Sequence, residues 1–423
     1  MHFDYITFIV RKFNAFVLAV MVLLIPFTKN NHVEFTADHS ADQSNYTFVM
    51  VHGFQGWGED VKGYEGLPYW GLFNGDALAA YRAAGYTCVA PTLDPVSSVW
   101  DHACELYAKL KGTRVDYGAV HSEQCGHDRY GEDYTGKGML DAWDSEHKIN
   151  LIGHSLGGPT CIMLVSLLAK GAPEEVAATT DGTVSDLFTG GKADWVHSVT
   201  GLAAVYNGTS LFVNRQAVQD TREYLRSRLH SIQLFPLVLR AQIDLLLDAL
   251  FYALEDITSG TVADPDTAVY DMQPDNALKI NETIDTVSSV YYFSVIQDAT
   301  KPSKVDGHLV ADTDVSDPLF VLFVPILART NMVTPNGLVM DAEWVPNDGC
   351  ANTISQKAPF GAPMTEWDEE PSPALAAKVS PGTYNVLPVY RGTHMAMIGD
   401  FLSPNLKGPT YLLHVMEMIS AIA

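Results

Sequence analysis

The run Gly153-His154-Ser155-Leu156-Gly157 constrains this chain more than any other, because it joins an apolar strand to an apolar helix. Lys148-Ile149-Asn150-Leu151-Ile152 reads as a buried strand, and Thr160 to Lys170 as a helix closed by Gly171. So short a joint forces a cramped strand-to-helix turn, in which only small residues beside the serine avoid clashes. A serine at the tip of such a turn holds its hydroxyl beyond the sheet edge, where a base can reach it. The bare five-residue pattern is common by chance. The preceding strand and the Gly157-Gly158-Pro159 helix start favour an elbow over a glycine-rich helix N-terminus that binds nothing.

The rest of the chain repeats strand and helix. Tyr46 to Val51 is a β-branched and aromatic run entering the glycine-rich loop His52-Gly53-Phe54-Gln55-Gly56-Trp57. Ala77 to Ala84 reads as a helix capped by Gly85, with a strand over Tyr86 to Ala90. Val196 to Val205 and Val290 to Val295 read as further buried strands. This alternation predicts an α/β fold with a mostly parallel sheet covered on both faces. Two segments break the rhythm. Residues about 94–145 are rich in His, Asp, Tyr and Gly with little periodicity, and residues about 212–256 are a long amphipathic-to-apolar helical stretch. With no repeat and no low-complexity linker, one domain over about 45–423 with elaborations is expected.

An elbow serine needs a base, an orienting acid and two amide donors. The amide of Leu156, directly after the serine, and that of Phe54, after the first strand, are the expected donors. In this fold order the acid and then the histidine follow the serine. Of His197, His230, His308, His394 and His414, His394 suits best, in a loop just past the expected strand Tyr384 to Val389. His414 falls in an apolar C-terminal helix and reads as a core or rim residue. Asp348, in Asn347-Asp348-Gly349, is a turn residue in the right place, but spacing alone does not separate an orienting acid from a plain turn aspartate.

Composition narrows the partners. A formal net charge of −24 leaves no cationic face for nucleic acid or anionic headgroups, whereas a neutral ester in a droplet or micelle is not disfavoured. Arg11 and Lys12 precede an apolar stretch from Phe13 to Phe27, so residues 1–30 read as a signal peptide or signal anchor, with a core or interfacial helix as the alternative. Secretion or a membrane tether is the expectation. Cys88, Cys104, Cys125, Cys161 and Cys350 are too irregular for a disulfide framework. Asn45, Asn207 and Asn281 head glycosylation sequons, of which Asn207 follows a probable core strand.

Several segments together resemble the thermoalkalophilic and staphylococcal-type triacylglycerol lipases. They are His52-Gly53-Phe54-x-Gly56-Trp57, Ser97-Ser98-x-Trp100-Asp101-x-Ala103-Cys104-Glu105, Val115-Asp116-Tyr117-Gly118, His121, Gly126-His127, the elbow, and Asn347-Asp348-Gly349-x-x-Asn352-Thr353. They span roughly residues 47–400 in order. The resemblance implies an α/β-hydrolase with the triad Ser155, Asp348 and His394 and an oxyanion hole from Phe54 and Leu156. It implies a helical lid over about 206–260 and a structural zinc site in the first insertion, held by Asp101, His121, His127 and Asp266. From the residues alone Cys125 competes as a ligand, and Asp266 could not have been chosen by spacing. The family's calcium ligands are not matched, since Ala396 and Gly399-Asp400-Phe401 stand in their places, so that ion is not expected here. The implied activity is lipid ester hydrolysis at an interface. The alternatives are a short-chain carboxylesterase, an acyltransferase, or a hydrolase-like binding protein without catalysis.

Overall fold

The computed structural model describes residues 44–213, 265–315, 323–329, 332–400 and 407–422, with a few single positions between them. The candidate signal (1–30) and most of the candidate lid (206–260) lie outside the described residues.

Seven strands form one sheet: β1 (Thr47–Val51), β2 (Cys88–Val89), β3 (Ile149–His154), β4 (Val196–Leu202), β5 (Tyr291–Val295), β6 (Met364–Glu366) and β7 (Tyr384–Val386). Their order is β6-β7-β5-β4-β3-β1-β2. Every neighbouring pair is parallel. All residues of β3 and β4 are buried, as expected for central strands covered on both faces, which is why they read as unbroken apolar runs. The chain passes from β1 outward to β2, then back across β1 to β3. That reversal places the carboxyl ends of β1 and β3 side by side, with Val51 paired to Gly153. In open α/β sheets such a switch point is where a site forms.

Five helices matter to the site: α1 (Ala77–Ala83), α2 (Val99–Lys111), α3 (Ala119–Cys125), α4 (Gly157–Lys170) and α5 (Lys407–Ser420). Asp76 caps α1 by accepting from the Leu78 and Ala79 amides, and Ser98 caps α2 by accepting from Asp101 N–H. Helix α4 packs on β3 and β4, and α2 packs against α4.

Several expected boundaries move. Helix α4 begins at Gly157 rather than Thr160, because Leu156 is already helical and Pro159, in the first turn, lacks an N–H that would have no partner there. Strand β4 stops at Leu202 because Ala203 takes φ 49° and turns the chain. Strand β7 stops at Val386, two residues before Pro388, which cannot donate to a ladder. The expected strand Tyr86 to Ala90 pairs only through Cys88 and Val89.

The largest correction concerns the first insertion. Residues 94–145, expected to carry little regular structure, hold α2, α3 and an antiparallel pair, Arg114–Asp116 with Tyr130–Asp133. Helix α2 is buried almost all round, with Asp101, His102, Glu105 and Lys109 buried among its apolar residues. A helix whose polar groups face inward has no separated apolar stripe, so its period is hidden in the sequence.

Other expectations are settled locally. Asn207 is buried with its side-chain amide on Ala358 O, and the Asn281 amide donates to Tyr206 O, so both are used inside the fold. All five cysteines are free thiols, with Cys88 and Cys161 buried. His414 lies exposed on α5.

Glu105 shows what the inward polar face costs. Its carboxyl accepts from Asp94 N–H at 2.7 Å and from the Tyr117 hydroxyl at 3.0 Å, and burial pushes its pKa up to about 7. The folded protein therefore keeps a proton that the unfolded chain releases near 4.5, and this stabilisation is lost as pH rises towards 7. Glu105→Gln, permanently neutral, should match the parent in denaturant unfolding at pH 4 and exceed it at pH 8. A constant difference across that range would contradict the assignment.

Candidate active site

Contacts of a few tenths of an ångström build the turn after β3. Ser155 sits at φ 55°, a left-handed conformation that disfavours a non-glycine residue by about 1–2 kcal/mol. Its neighbours allow it. A Cβ on Gly153 would stand 2.2 Å from Gly157 O, and one on Gly157 would stand 2.4 Å from Val51 O. A Cβ on Gly158 would meet Ala204 Cβ at 2.4 Å. Ser155 N–H donates to Leu202 O at 2.9 Å, pinning the turn to the end of β4.

Asp348 and His394 are joined twice. His394 N–H donates to Asp348 O at 2.9 Å, and His394 Nδ1 lies 2.8 Å from Asp348 Oδ2. Asp348 is fully buried. Its Oδ1 accepts from the Cys350 and Ala351 amides at 2.9 and 2.7 Å, and Gln356 Nε2 adds a fourth bond to Oδ2 at 3.1 Å. A carboxylate offers about four acceptor positions, and all are filled by donors. His394 Nδ1 must therefore carry a proton and donate it to Asp348. His154, beside Ser155, brings the two halves together: its Nε2 lies 2.9 Å from His394 O and its ring 4.8 Å from the His394 ring.

The loop after β1 lies directly on the turn. A Cβ on Gly53 would be 2.8 Å from Ser155 Cβ. His52 shapes this loop from beneath. Leu93 N–H donates to His52 Nε2 at 2.9 Å, so Nδ1 carries the proton and donates to Gly53 O at 2.9 Å. Burial lowers the His52 pKa to about 4, which keeps that neutral form. Among the described residues, neither the Phe54 nor the Leu156 amide is bonded to a backbone carbonyl.

A second constellation joins α2, α3 and the segment after residue 264. His121 Nε2 lies 3.1 Å from Asp101 Oδ1 and 3.2 Å from Asp266 Oδ1, and His127 Nε2 lies 3.3 Å from Asp266 Oδ2. His127 Nδ1 faces Asp128 O at 2.9 Å, and a carbonyl only accepts, so Nδ1 holds the proton. The Nε2 lone pair then points at a carboxylate. Both His127 Nε2 and Asp101 Oδ1 are buried without a hydrogen-bond partner. His127 Nε2 lies 3.3 Å from Asp266 Oδ2, and a cation between them would satisfy both. Burial pushes the Asp101 carboxyl up against the pull of His121. The His121 pKa, lowered by burial, is raised by Asp101 and Asp266 to about 9 overall.

Cys125 is the competing ligand. It groups with His121, His127 and Asp266, but its Sγ lies 3.9 Å from His121 Nδ1, on the opposite side of the ring from both aspartates. One imidazole cannot offer both nitrogens to one ion, and the two unbonded atoms favour the Asp101 set. Ser98 Oγ, donating to Asp266 Oδ1 at 2.8 Å, is a supporting residue that the sequence did not single out.

Where the family places calcium, Ala396 is buried and offers no ligand atom. Asp400 Oδ1 accepts from Thr393 Oγ1 at 2.8 Å. Arg391 anchors the same loop to Asp298 at 2.6 Å and to Asp312 at 3.1 Å.

A parallel sheet with a glycine-flanked serine turn at its switch point defines this chain as an α/β-hydrolase. Residues 44–244 match a family model described as lipase-like, C-terminal domain. A lipase of Staphylococcus hyicus is 32% identical over 369 residues, covering 84% of this chain and 53% of that protein. Among solved structures, EstA from Clostridium botulinum is 31% identical with a TM-score of 0.69, covering 93% of this chain and 90% of that one. Lipase 1 from Pelosinus fermentans is 30% identical with a TM-score of 0.67, covering 90% of this chain and 100% of that one. The chain belongs to the staphylococcal-type lipase family. It spans about half the length of the curated relatives it matches.

Strain at Ser155 is measurable without any substrate. Ser155→Gly should unfold at higher denaturant than Ser155→Ala, by roughly 1 kcal/mol, because only glycine relaxes at a positive φ. Equal midpoints would mean that the turn stores no strain.

Proposed function

We propose that this protein hydrolyses carboxylic esters of acylglycerols through a covalent acyl-enzyme on Ser155. The observation that carries this reading is His394, its Nδ1 2.8 Å from the fully buried Asp348 and its carbonyl tied to His154 beside the strained Ser155 turn. His394 Nε2 takes the Ser155 proton as Oγ attacks the ester carbonyl. The Phe54 and Leu156 amides receive the developing oxyanion. The imidazolium, stabilised by Asp348, then gives its proton to the leaving alkoxide. A water molecule, activated by the same Nε2, attacks the acyl-enzyme and returns Ser155 to its starting state. Acylglycerols are the favoured substrate because the relatives named lipases match along most of this chain. The strongly acidic, cation-poor composition suits neutral esters. Export belongs to the same proposal, supported by the basic-then-apolar segment from Arg11 to Phe27.

Ser155→Ala should abolish hydrolysis of long-chain p-nitrophenyl esters, with rates on the parent rising once the substrate exceeds its solubility limit. Retained activity in the variant would remove Ser155 from the mechanism. A preference for short, fully dissolved esters would make the protein a carboxylesterase instead.

Zinc is the cation we propose for the second constellation, held by Asp101, His121, His127 and Asp266. Two imidazoles and two carboxylates suit a four-coordinate structural ion. Bound there, it would supply charge that neutralises the facing acceptors and ties the 94–145 insertion to the Asp266 segment. Metal analysis of the purified protein should find one zinc per chain, lost in Asp101→Ala together with a lower melting temperature. A metal-free parent as stable as before chelation would contradict the assignment.

A further inference from the structure

Tyr69 lies outside every segment discussed so far, in the loop between β1 and α1. Its hydroxyl meets two groups. Gly53 N–H donates to Tyr69 Oη at 2.9 Å, and Tyr69 Oη lies 2.6 Å from His154 Nδ1. On its other side His154 Nε2 lies 2.9 Å from His394 O. The direction of every proton follows. An amide only donates and a carbonyl only accepts, so His154 Nε2 carries the hydrogen and Nδ1 accepts from Tyr69. The chain reads Gly53 N–H to Tyr69 O–H to His154, and His154 Nε2–H to His394 C=O. All of it is buried, Tyr69 at 4% and His154 at 1% exposure.

Each end belongs to a different part of the proposed machinery. Gly53 precedes Phe54 in the loop that lies on Ser155, His154 immediately precedes Ser155, and His394 is the proposed base. No backbone hydrogen bond among the described residues ties the Gly53-Phe54 loop directly to the His394 loop. We propose that Tyr69 and His154 are positioning residues that hold the oxyanion loop, the serine turn and the base loop in one register. The inference rests on the hydrolase reading above and adds two residues to it.

Burial supports a chain that does not ionise. It lowers the His154 imidazole well below its ordinary value, an effect that nearby His394 strengthens, and it raises the Tyr69 phenol. A protonated His154 would present Nδ1–H to the Tyr69 hydroxyl and reverse the Tyr69–His154 link. The surrounding rings, Trp57 at 5.4 Å and Trp70 at 5.5 Å from Tyr69, would keep a phenylalanine in the same place. Removing the hydroxyl therefore tests the hydrogen bonds and not the packing.

The test compares Tyr69→Phe with Tyr81→Phe in the full chain. Tyr81 is a buried tyrosine whose hydroxyl donates to Pro409 O at 3.0 Å and takes no part in this chain of bonds. On a soluble p-nitrophenyl ester Tyr69→Phe should lower kcat at least about tenfold with KM within about twofold, as expected when a group acts mainly in the transition state. Tyr81→Phe should lose a similar melting temperature with kcat unchanged. If both variants keep the parental kcat, Tyr69 is only a packing residue and the proposal is overturned. A second measurement does not need activity or a folded variant. Long-range 1H–15N spectra of the histidine-labelled parent at pH 7 should show His154 neutral with its proton on Nε2; a proton on Nδ1, or a charged ring, overturns the chain. Should the parent hydrolyse no ester faster than Ser155→Ala, the hydrolase reading falls and the positioning role with it, while the tautomer still decides the geometry separately.

Discussion

The approach of Gly157 to the carbonyl of Val51 is the contact on which the rest of this structure depends. At that point β1 and α4 come so close that a single methyl group would stand 2.4 Å from the oxygen. The proximity follows from the strand order, which sets β1 beside β3 at the reversal of the sheet. It also brings the loop of Gly53 and Phe54 over Ser155, since both loops leave the same sheet edge. Widening the contact would relax the positive φ of Ser155 and separate the serine from the amides meant to serve it. The elbow glycines are thus required by inter-strand packing as much as by the turn itself.

A second theme is that backbone groups decide the protonation of nearly every histidine around the site. His52 is fixed by the Leu93 amide and Gly53 carbonyl, His154 by the His394 carbonyl, and His127 by the Asp128 carbonyl. A side chain that meets an amide or a carbonyl has no choice of role, because those groups cannot exchange donor for acceptor. His394 differs in meeting a carboxylate, but Asp348 is itself saturated by two amides and a glutamine. Among the described residues, Asp101, His121, His127 and Asp266 form a separate group in which His127 Nε2 faces Asp266 Oδ2 at 3.3 Å.

Six of the seven sheet strands were legible in the sequence as short, mostly apolar runs, whereas β6 (Met364–Glu366), exposed throughout, carries no such signal. The serine turn was legible because sterics dictate its flanking residues. His394 suited a base by its order along the chain, whereas Asp348 came only with the family resemblance, since a turn aspartate is a weak signal until its four donors are seen. What could not be read was long-range. Asp266 follows His121 by 145 positions and meets it only because Thr267 bridges to Ser97 and Ala268 N–H bonds to Val96 O. Tyr69 is 85 positions from His154 and belongs to no periodic pattern. Helix α2 was missed for the opposite reason: its local pattern was erased by the buried Asp101, His102, Glu105 and Lys109 among its apolar residues. Sequence periodicity reports burial of apolar faces, and it fails where a face is buried for its polar chemistry.

The His394 loop illustrates how one structural demand can be met by different means. A base must be held against a serine from a separate loop, and a loop alone fixes little. In this chain three independent ties converge on four consecutive residues, 391–394. Arg391 pairs with Asp298 and Asp312, Thr393 donates to Asp400, and the His394 backbone both donates to Asp348 and accepts from His154. Ion pairs of this kind are partly solvated and individually weak. Their value lies in direction: they restrain the strand entering the loop, while the buried hydrogen bonds restrain the ring itself. Orientation of His394 therefore depends on buried, desolvated contacts that added salt screens little.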